Sequence, residues 1–248
     1  MGDIILEKVK LFKSIEQEFT LMEKYIKQKA IGGSTLQILE AGCGRYWPLN
    51  LSGIQHTLTG VDIDKTALDL RKSKFNDLNE VIIGDLRSIE LEENKYDVIY
   101  NSFVLEHIDN AEHVLDNFLR WLKPGGFLIL RIPDRSSVFG FITRSTPHWF
   151  HTFYYKYIRG WQNAGKPGFP PYPIFYNFII SRTGIHEYCQ KNHLIIKEEY
   201  GLQYHLTGHG IIPFSIRLLV RVFGLLSFGL LAWEHTGLSY ILEKRIRV

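Results

Sequence analysis

One stretch constrains this chain more than any other. Ile38-Leu39-Glu40-Ala41-Gly42-Cys43-Gly44 is a short apolar run that ends in an acid and passes straight into a glycine loop, with Pro48 close to the start of a helix. Glycine adopts positive φ and lets a backbone approach a ligand closely. Three more strand candidates follow, over 57–61, 80–83 and 96–101, each after a segment long enough for a crossover helix. A fifth, over 126–132, comes after the turn Lys123-Pro124-Gly125-Gly126. Strand–helix alternation of this kind predicts a parallel sheet with helices on both faces, joined by right-handed crossovers. Ligands of such sheets bind beyond the carboxyl ends of the strands, where the glycine loop sits.

A Gly-x-Gly alone reads equally well as a tight strand-to-helix turn. The acids downstream add weight. Thr59-Gly60-Val61-Asp62 ends the second strand with a carboxylate roughly 20 residues past the loop, the spacing of an acid that accepts hydrogen bonds from ribose hydroxyls. Ile82-Ile83-Gly84-Asp85 ends the third strand with another, suited to an exocyclic adenine amine. The fourth strand, Tyr96 to Asn101, runs into Ser102-Phe103-Val104-Leu105-Glu106-His107. A single strand-end Asp is usually a helix cap; acids at three successive strand ends, in register with the loop, are harder to explain that way.

This constellation resembles the class I S-adenosylmethionine-dependent methyltransferases. The likeness is close over 36–135 and looser over the sixth and seventh strands, expected at 193–200 and 238–244. Glu40-Ala41-Gly42-Cys43-Gly44 is similar to the family's first motif, Asp62 to its ribose-binding acid, and Gly84-Asp85-Leu86 to its adenine-side motif. Leu105-Glu106-His107-Ile108 and Leu122-Lys123-Pro124-Gly125-Gly126 are similar to its fourth- and fifth-strand signatures. The resemblance implies a Rossmann-like α/β fold with a seven-stranded, mostly parallel sheet, S-adenosyl-L-methionine as cofactor and S-adenosyl-L-homocysteine as product. It implies a cofactor-binding set of Glu40, Gly42, Cys43, Gly44, Asp62, Ile63, Asp85, Leu86, Asn101, Phe103 and His107, with Glu40 toward the cofactor's amino end. Where the family often has a third glycine, this chain has Tyr46. A dinucleotide pyrophosphate needs close backbone approach there, so a nicotinamide oxidoreductase is set aside; a cofactor without phosphates tolerates the bulk.

The rest of the chain bounds the partner. With 29 basic and 26 acidic residues, net +3, the charges look mixed as on a solvated surface, and no nucleic-acid footprint is expected. Cys43 and Cys189 form no metal-type pair and suit a reducing compartment. Lys8, Lys10, Glu7 and Glu16 interrupt the N-terminal apolar runs, and Leu6 spoils the myristoylation pattern begun by Met1-Gly2, so a cytoplasmic protein is expected. One domain is expected over 1–248: an N-terminal helical segment (1–35), a cofactor core (36–135), an aromatic substrate lid (136–180), the end of the core sheet (181–200 and 236–248) and a hydrophobic insertion (201–235). Ile5, Val9, Phe12, Ile15, Phe19, Met22 and Ile26 carry the helical period of the first segment.

The stretch 136–180 holds 14 of the 34 aromatics and five of the nine prolines. Its rings are expected to form a small lid core or to line an apolar pocket, with Pro167, Pro170, Pro171 and Pro173 stiffening the loop. The run Thr146-Pro147-His148-Trp149-Phe150-His151 is similar to stretches in methyltransferases acting on lipid-linked or secondary-metabolite acceptors, and His148 and His151 are the candidate catalytic residues, as base or orienter or simply as hydrogen-bonded lid residues. The expected reaction is O-methylation, at a hydroxyl or carboxylate, of a hydrophobic or amphipathic small molecule. The alternatives are carbon methylation of a quinone- or sterol-like acceptor, and a non-catalytic binding protein. Metal binding by His148/His151 or His205/His209 is not expected, because no carboxylate or cysteine completes either pair. The uncharged run Val222 to Trp233 is too short to span a bilayer, so 211–233 is read as a buried lid helix or a peripheral membrane contact. Oligomeric state is not legible.

Overall fold

The computed structural model describes residues 8–30, 33–158, 160–166, 169–203 and 211–246. Its strands are β1 (Lys10–Leu11), β2 (Leu36–Ala41), β3 (His56–Asp62), β4 (Glu80–Ile83), β5 (Tyr96–Ser102), β6 (Leu122–Pro133), β7 (Leu194–Leu202) and β8 (Gly237–Lys244). They form one sheet in the order β1-β7-β8-β6-β5-β2-β3-β4. Every neighbouring pair is parallel except those of β8, which runs antiparallel to β6 and β7.

The sheet has eight strands rather than seven, and the additional one corrects the reading of the N-terminus. Helix α1 (Ile15–Lys29) begins only at Ser14, whose Oγ accepts the Gln17 N–H. That cap stops the helix from running back through Phe12. The preceding residues pair with β7 instead: the Phe12 N–H donates to the Gly201 carbonyl, and the Phe12 ring stacks on Tyr200 at 4.1 Å. Val9 and Phe12 are buried as their apolar spacing predicts, but by strand pairing.

Both faces of the central strands are covered, so successive residues are all apolar and belong to different cores. Leu39, Ile99, Leu128 and Leu130 pack with α3 (Ala111–Trp121) and α6 (Arg182–Lys191) on one side. Ile38, Val98, Tyr100 and Ile129 pack with Met22 and Ile26 of α1 on the other. α1 is also tied down electrostatically, since buried Glu18 accepts two hydrogen bonds from Arg131 of β6, at 2.8 and 2.9 Å.

The chain steps outward from β2 through β3 to β4, then returns to place β5 on the other side of β2. The reversal opens a crevice between the carboxyl ends of β2 and β5, the standard ligand position of an open α/β sheet. After β6 come α4 (Val138–Ser145), α5 (His148–Phe153) and a wide turn over Tyr154–Ile158; α7 (Ile211–Leu226) precedes β8. Both insertions leave from, or return to, the crevice end of the sheet. The aromatic stretch does not make the small core expected of it: α5 and the turn after it bury no residue. Its rings pair locally, as in Phe153–Tyr157 at 5.0 Å, because these short elements have no second layer above them. Among the described residues, no helix is long and apolar enough to cross a membrane.

Candidate functional site

The glycine loop is built for close packing. Gly42 has φ +73, and a Cβ there would lie 2.3 Å from Val104 Cγ2, so β5 can approach β2 only over a bare backbone. Gly44 has φ +55 and faces open space. The loop's N–H groups are already engaged: those of Gly42 and Cys43 donate to the Val61 carbonyl (2.8 and 3.0 Å), and that of Gly44 donates to Asp62 Oδ2 (2.8 Å). A pyrophosphate site needs such N–H groups pointing at the ligand. This loop offers none of the three, which fits a cofactor without phosphates.

What the crevice offers instead is acceptors. Glu40 and Asn101 are buried at the facing ends of β2 and β5, and Asn101 Oδ1 has no hydrogen-bond partner. The Asn101 amide is fixed by donating to the Ala41 carbonyl at 2.8 Å. Glu40 Oε2 is paired with Arg71 Nη1 at 2.7 Å, and Nη1 also donates to the Cys43 carbonyl at 2.8 Å. Burial pushes the Glu40 carboxyl up, against the pull of Arg71. Arg71, wholly buried, also donates from Nε and Nη2 to Asp77 at 3.0 and 2.8 Å. An unmet acceptor such as Asn101 Oδ1 is costly at this depth unless a ligand brings a donor, and the ammonium end of an amino acid brings three. S-adenosylmethionine meets both observations: no phosphate, and an amino-acid end.

The other members of the expected set stand as follows. Asp62 is half-buried, and its two oxygens accept from the N–H groups of Gly44 and Asp64, each at 2.8 Å. It braces the loop, and each oxygen keeps a lone pair. Ile63 beside it is exposed. Asp85 is not open: Arg87 grips it through Nε and Nη2 at 2.6–3.0 Å and holds it below the usual carboxylate range. Leu86 is buried and its carbonyl accepts from Asn117 at 2.9 Å. Phe103 has φ +54 and lies under the Arg131 guanidinium at 4.9 Å. His107 hydrogen-bonds through Nδ1 to the Pro173 carbonyl at 2.8 Å, and burial lowers its pKa. Cys43 is buried, with its thiol pushed up to about 12, so it is a neutral packing group.

His148 and His151 sit together, ring centroids 6.3 Å apart, in a cleft of about 450 Å³ lined also by Thr143, Arg144, Thr146 and Tyr176. This lining is more polar than the aromatic sequence predicts. His151 Nε2 is 2.7 Å from the Thr146 hydroxyl, which itself donates to the Ile142 carbonyl at 2.9 Å. The ring also hydrogen-bonds to the Thr143 backbone. Burial and the neighbouring His148 lower the His151 pKa, keeping it neutral at physiological pH. His205, His209 and Pro167 lie outside the described residues.

Two groups were missed. Glu106 is buried with Oε2 unpartnered, and burial pushes its carboxyl up to about 8; the lid crosses it where the Phe175 N–H donates to its carbonyl at 2.7 Å. Its neighbour His107 was the only residue of that pair given a role. Buried His235 is held by Asp134 (Nε2 to Oδ2, 2.8 Å), with Nδ1 unpartnered. No local pattern announces a pair 101 residues apart.

Comparison with known proteins agrees with this geometry. Residues 39–130 match the family described as "Methyltransferase domain". A ubiquinone biosynthesis O-methyltransferase of Rickettsia typhi is 28% identical over 186 residues, which is 70% of this chain and 66% of that protein. A demethylmenaquinone methyltransferase of Staphylococcus saprophyticus is 28% identical over 122 residues, 47% of this chain and 52% of that one. The chain thus spans between about half and two thirds of the curated relatives it matches. Among solved structures, a SAM-dependent methyltransferase from Archaeoglobus fulgidus superposes with a TM-score of 0.51 at 15% identity, over 93% of this chain and 95% of that one. The [4+2]-cyclase SpnF superposes at 0.57 with 12% identity, over 98% and 88%. These likenesses show the fold, and the cyclase is a reminder that the fold alone does not fix the reaction.

Proposed function

We propose that this chain, which carries a class I S-adenosylmethionine-dependent methyltransferase domain, methylates a hydroxyl oxygen of an apolar, aromatic, quinone-related small molecule. When bound, S-adenosylmethionine supplies a methyl group already activated by its sulfonium centre. Glu40 Oε2 and Asn101 Oδ1 accept from its amino end across the loop of Gly42, Cys43 and Gly44. Asp62 accepts from the ribose hydroxyls with its remaining lone pairs, while Ile63, Asp85, Leu86, Phe103 and His107 border the rest. Asp85 takes part only as a pair with Arg87, because both its oxygens are already gripped.

The observation that carries the acceptor reading is the His151–Thr146 pair. A carboxylate acceptor is ionised at neutral pH and needs no base; a hydroxyl does. His151 is held against the Thr146 hydroxyl through Nε2, and burial and His148 lower its pKa, which suits a side chain that takes the hydroxyl proton. His148, beside it, orients the acceptor. Arg144 and Tyr176 give the polar end of the acceptor further partners, and the exposed rings of α5 flank its apolar body. The names of both sequence relatives contain a quinone, which favours an aromatic acceptor. The second of them also keeps carbon methylation of a quinone-type ring as the alternative reading.

The test is turnover with S-adenosylmethionine on three acceptors: an apolar catechol, an apolar aromatic carboxylic acid, and a quinol with an unsubstituted ring carbon. Mass spectrometry after alkaline hydrolysis separates the products. The expected product is an alkali-stable aryl ether. An alkali-labile ester would overturn the role of His151, and a carbon-methylated ring would establish the alternative.

A further inference from the structure

The acids of this chain are not spread evenly. From Arg135 to His186, and again from Tyr200 to Trp233, there is no Asp or Glu at all, although the first stretch carries Arg and Lys and the second carries Arg. The fold brings these stretches to the same end of the sheet. The Val138 N–H donates to the Ala232 carbonyl, the Ala232 N–H donates to the Ser136 carbonyl, and α4 packs against α7. The two stretches therefore bring basic side chains and no acid of their own to this end of the sheet, contrary to the mixed charge expected from composition.

These stretches also expose large apolar side chains to an extent a water-facing surface rarely shows. Trp149 is 68% exposed and Tyr157 67%, on α5 and the turn after it; Leu226 is 69%, Phe228 96% and Leu230 80% exposed, at the end of α7 and in the turn beyond. On α7 itself, Val220 and Gly224 face inward, Gly224 lying so close to Trp233 that a Cβ would come within 2.8 Å of that ring. Most of the remaining α7 surface is apolar and exposed, with Arg221 lying over Trp233 at 5.2 Å.

We infer that this face docks on a lipid bilayer carrying anionic headgroups, with the α5 aromatics and the α7–Phe228 strip inserted at the interface and the basic side chains at headgroup level. Trp and Tyr prefer that boundary. A helix with basic residues on an apolar flank is the shape of an interfacial anchor, and anionic leaflets attract such clusters. Arginine on the flank of an apolar strip reaches headgroups while its stem stays in the apolar layer. A second copy of the chain suits the face less well: a two-fold contact would bring each cationic strip against its own duplicate with no acid to offset it. The docked face adjoins the His148–His151 cleft, so an apolar acceptor dissolved in the bilayer has a short route to the site.

The experiment is co-sedimentation of the full chain with vesicles of phosphatidylcholine alone, and with equimolar phosphatidylcholine and phosphatidylglycerol, at low and high salt. Strong retention by the anionic vesicles is expected, weakened by salt. Arg221→Glu should lower the bound fraction by about fivefold or more. Phe228→Ser with Leu230→Ser should lower it at least as much, at no cost to folding because both positions are exposed. S-adenosylhomocysteine affinity should be unchanged in these variants, which separates docking from the proposed reaction. Absence of retention on anionic vesicles, or retention that both variants leave unaltered, would overturn the inference. So would a self-associated chain that ignores vesicles and is dispersed by Phe228→Ser, since the occupant would then be a second copy.

Discussion

Two regions at one end of the sheet break the ordinary rules of folding in opposite directions. The crevice between β2 and β5 buries the unpartnered Asn101 Oδ1 and the Glu40 carboxyl with its Arg71 partner. The face made by α5 and α7 leaves apolar side chains in water. Each departure costs stability, and each is what a site for something else requires: donors in the first case, apolar matter in the second. The rigid region recognises a cofactor by fixed geometry, whereas the apolar one has little internal packing to define it.

The contrast is sharpest at Gly42. Gly42→Ala places a methyl group 2.3 Å from Val104 Cγ2 at a positive φ, so S-adenosylhomocysteine affinity should fall by more than about a hundredfold with a lowered Tm. Calorimetric titration and thermal melting would read both, and an unchanged affinity would remove the crevice from the cofactor site. His151→Ala probes the less rigid region: kcat should fall by about a hundredfold while S-adenosylhomocysteine affinity holds. Equal turnover would make His151 a structural residue and favour a carboxylate acceptor. Asp62→Ala removes the brace on Gly44 and, on the proposed reading, the ribose acceptor as well, and should weaken cofactor binding by roughly tenfold to a hundredfold without unfolding the chain.

The smallest effect concerns Glu106. Its carboxyl is raised to about 8 in the fold, above the 4.5 of an exposed glutamate, so the native state holds a proton that the unfolded chain releases. Its contribution is therefore complete below about pH 4.5 and declines as pH rises through about 8. Glu106→Gln should flatten the fall in Tm between those values, although Glu40, raised in the same direction, keeps part of the slope. A Tm profile identical to that of the parent would show that Glu106 is charged and has a partner when folded.

The cofactor half of the molecule was legible because its signals are local. The strand ends at which the glycine loop, Asp62 and Asp85 fall lie in short segments whose spacing reflects the backbone that carries them, and those strands form where expected. What escaped depends on partners far apart in the chain. Arg71 looks like an ordinary helix cation, yet it is buried between Glu40 and Asp77. Arg87 occupies Asp85, and Asp134 finds His235 only in the folded sheet. At the N-terminus, the apolar period marked the buried residues correctly but not the element, since Val9 and Phe12 serve a strand as well as a helix until Ser14 caps α1. The aromatic stretch misled for a related reason: composition reports how many rings there are, not whether anything covers them.

β1 has a further consequence, for the order of assembly. Lys10 and Leu11 pair with Tyr200 and Gly201, and Glu18 pairs with Arg131. The first described strand therefore has no partner until most of the chain exists, and closing so long a loop is slow compared with local pairing. During synthesis the β2–β6 core can condense while β1 waits. β1 therefore seals the β7 edge only once β7 itself has been made, long after its own residues.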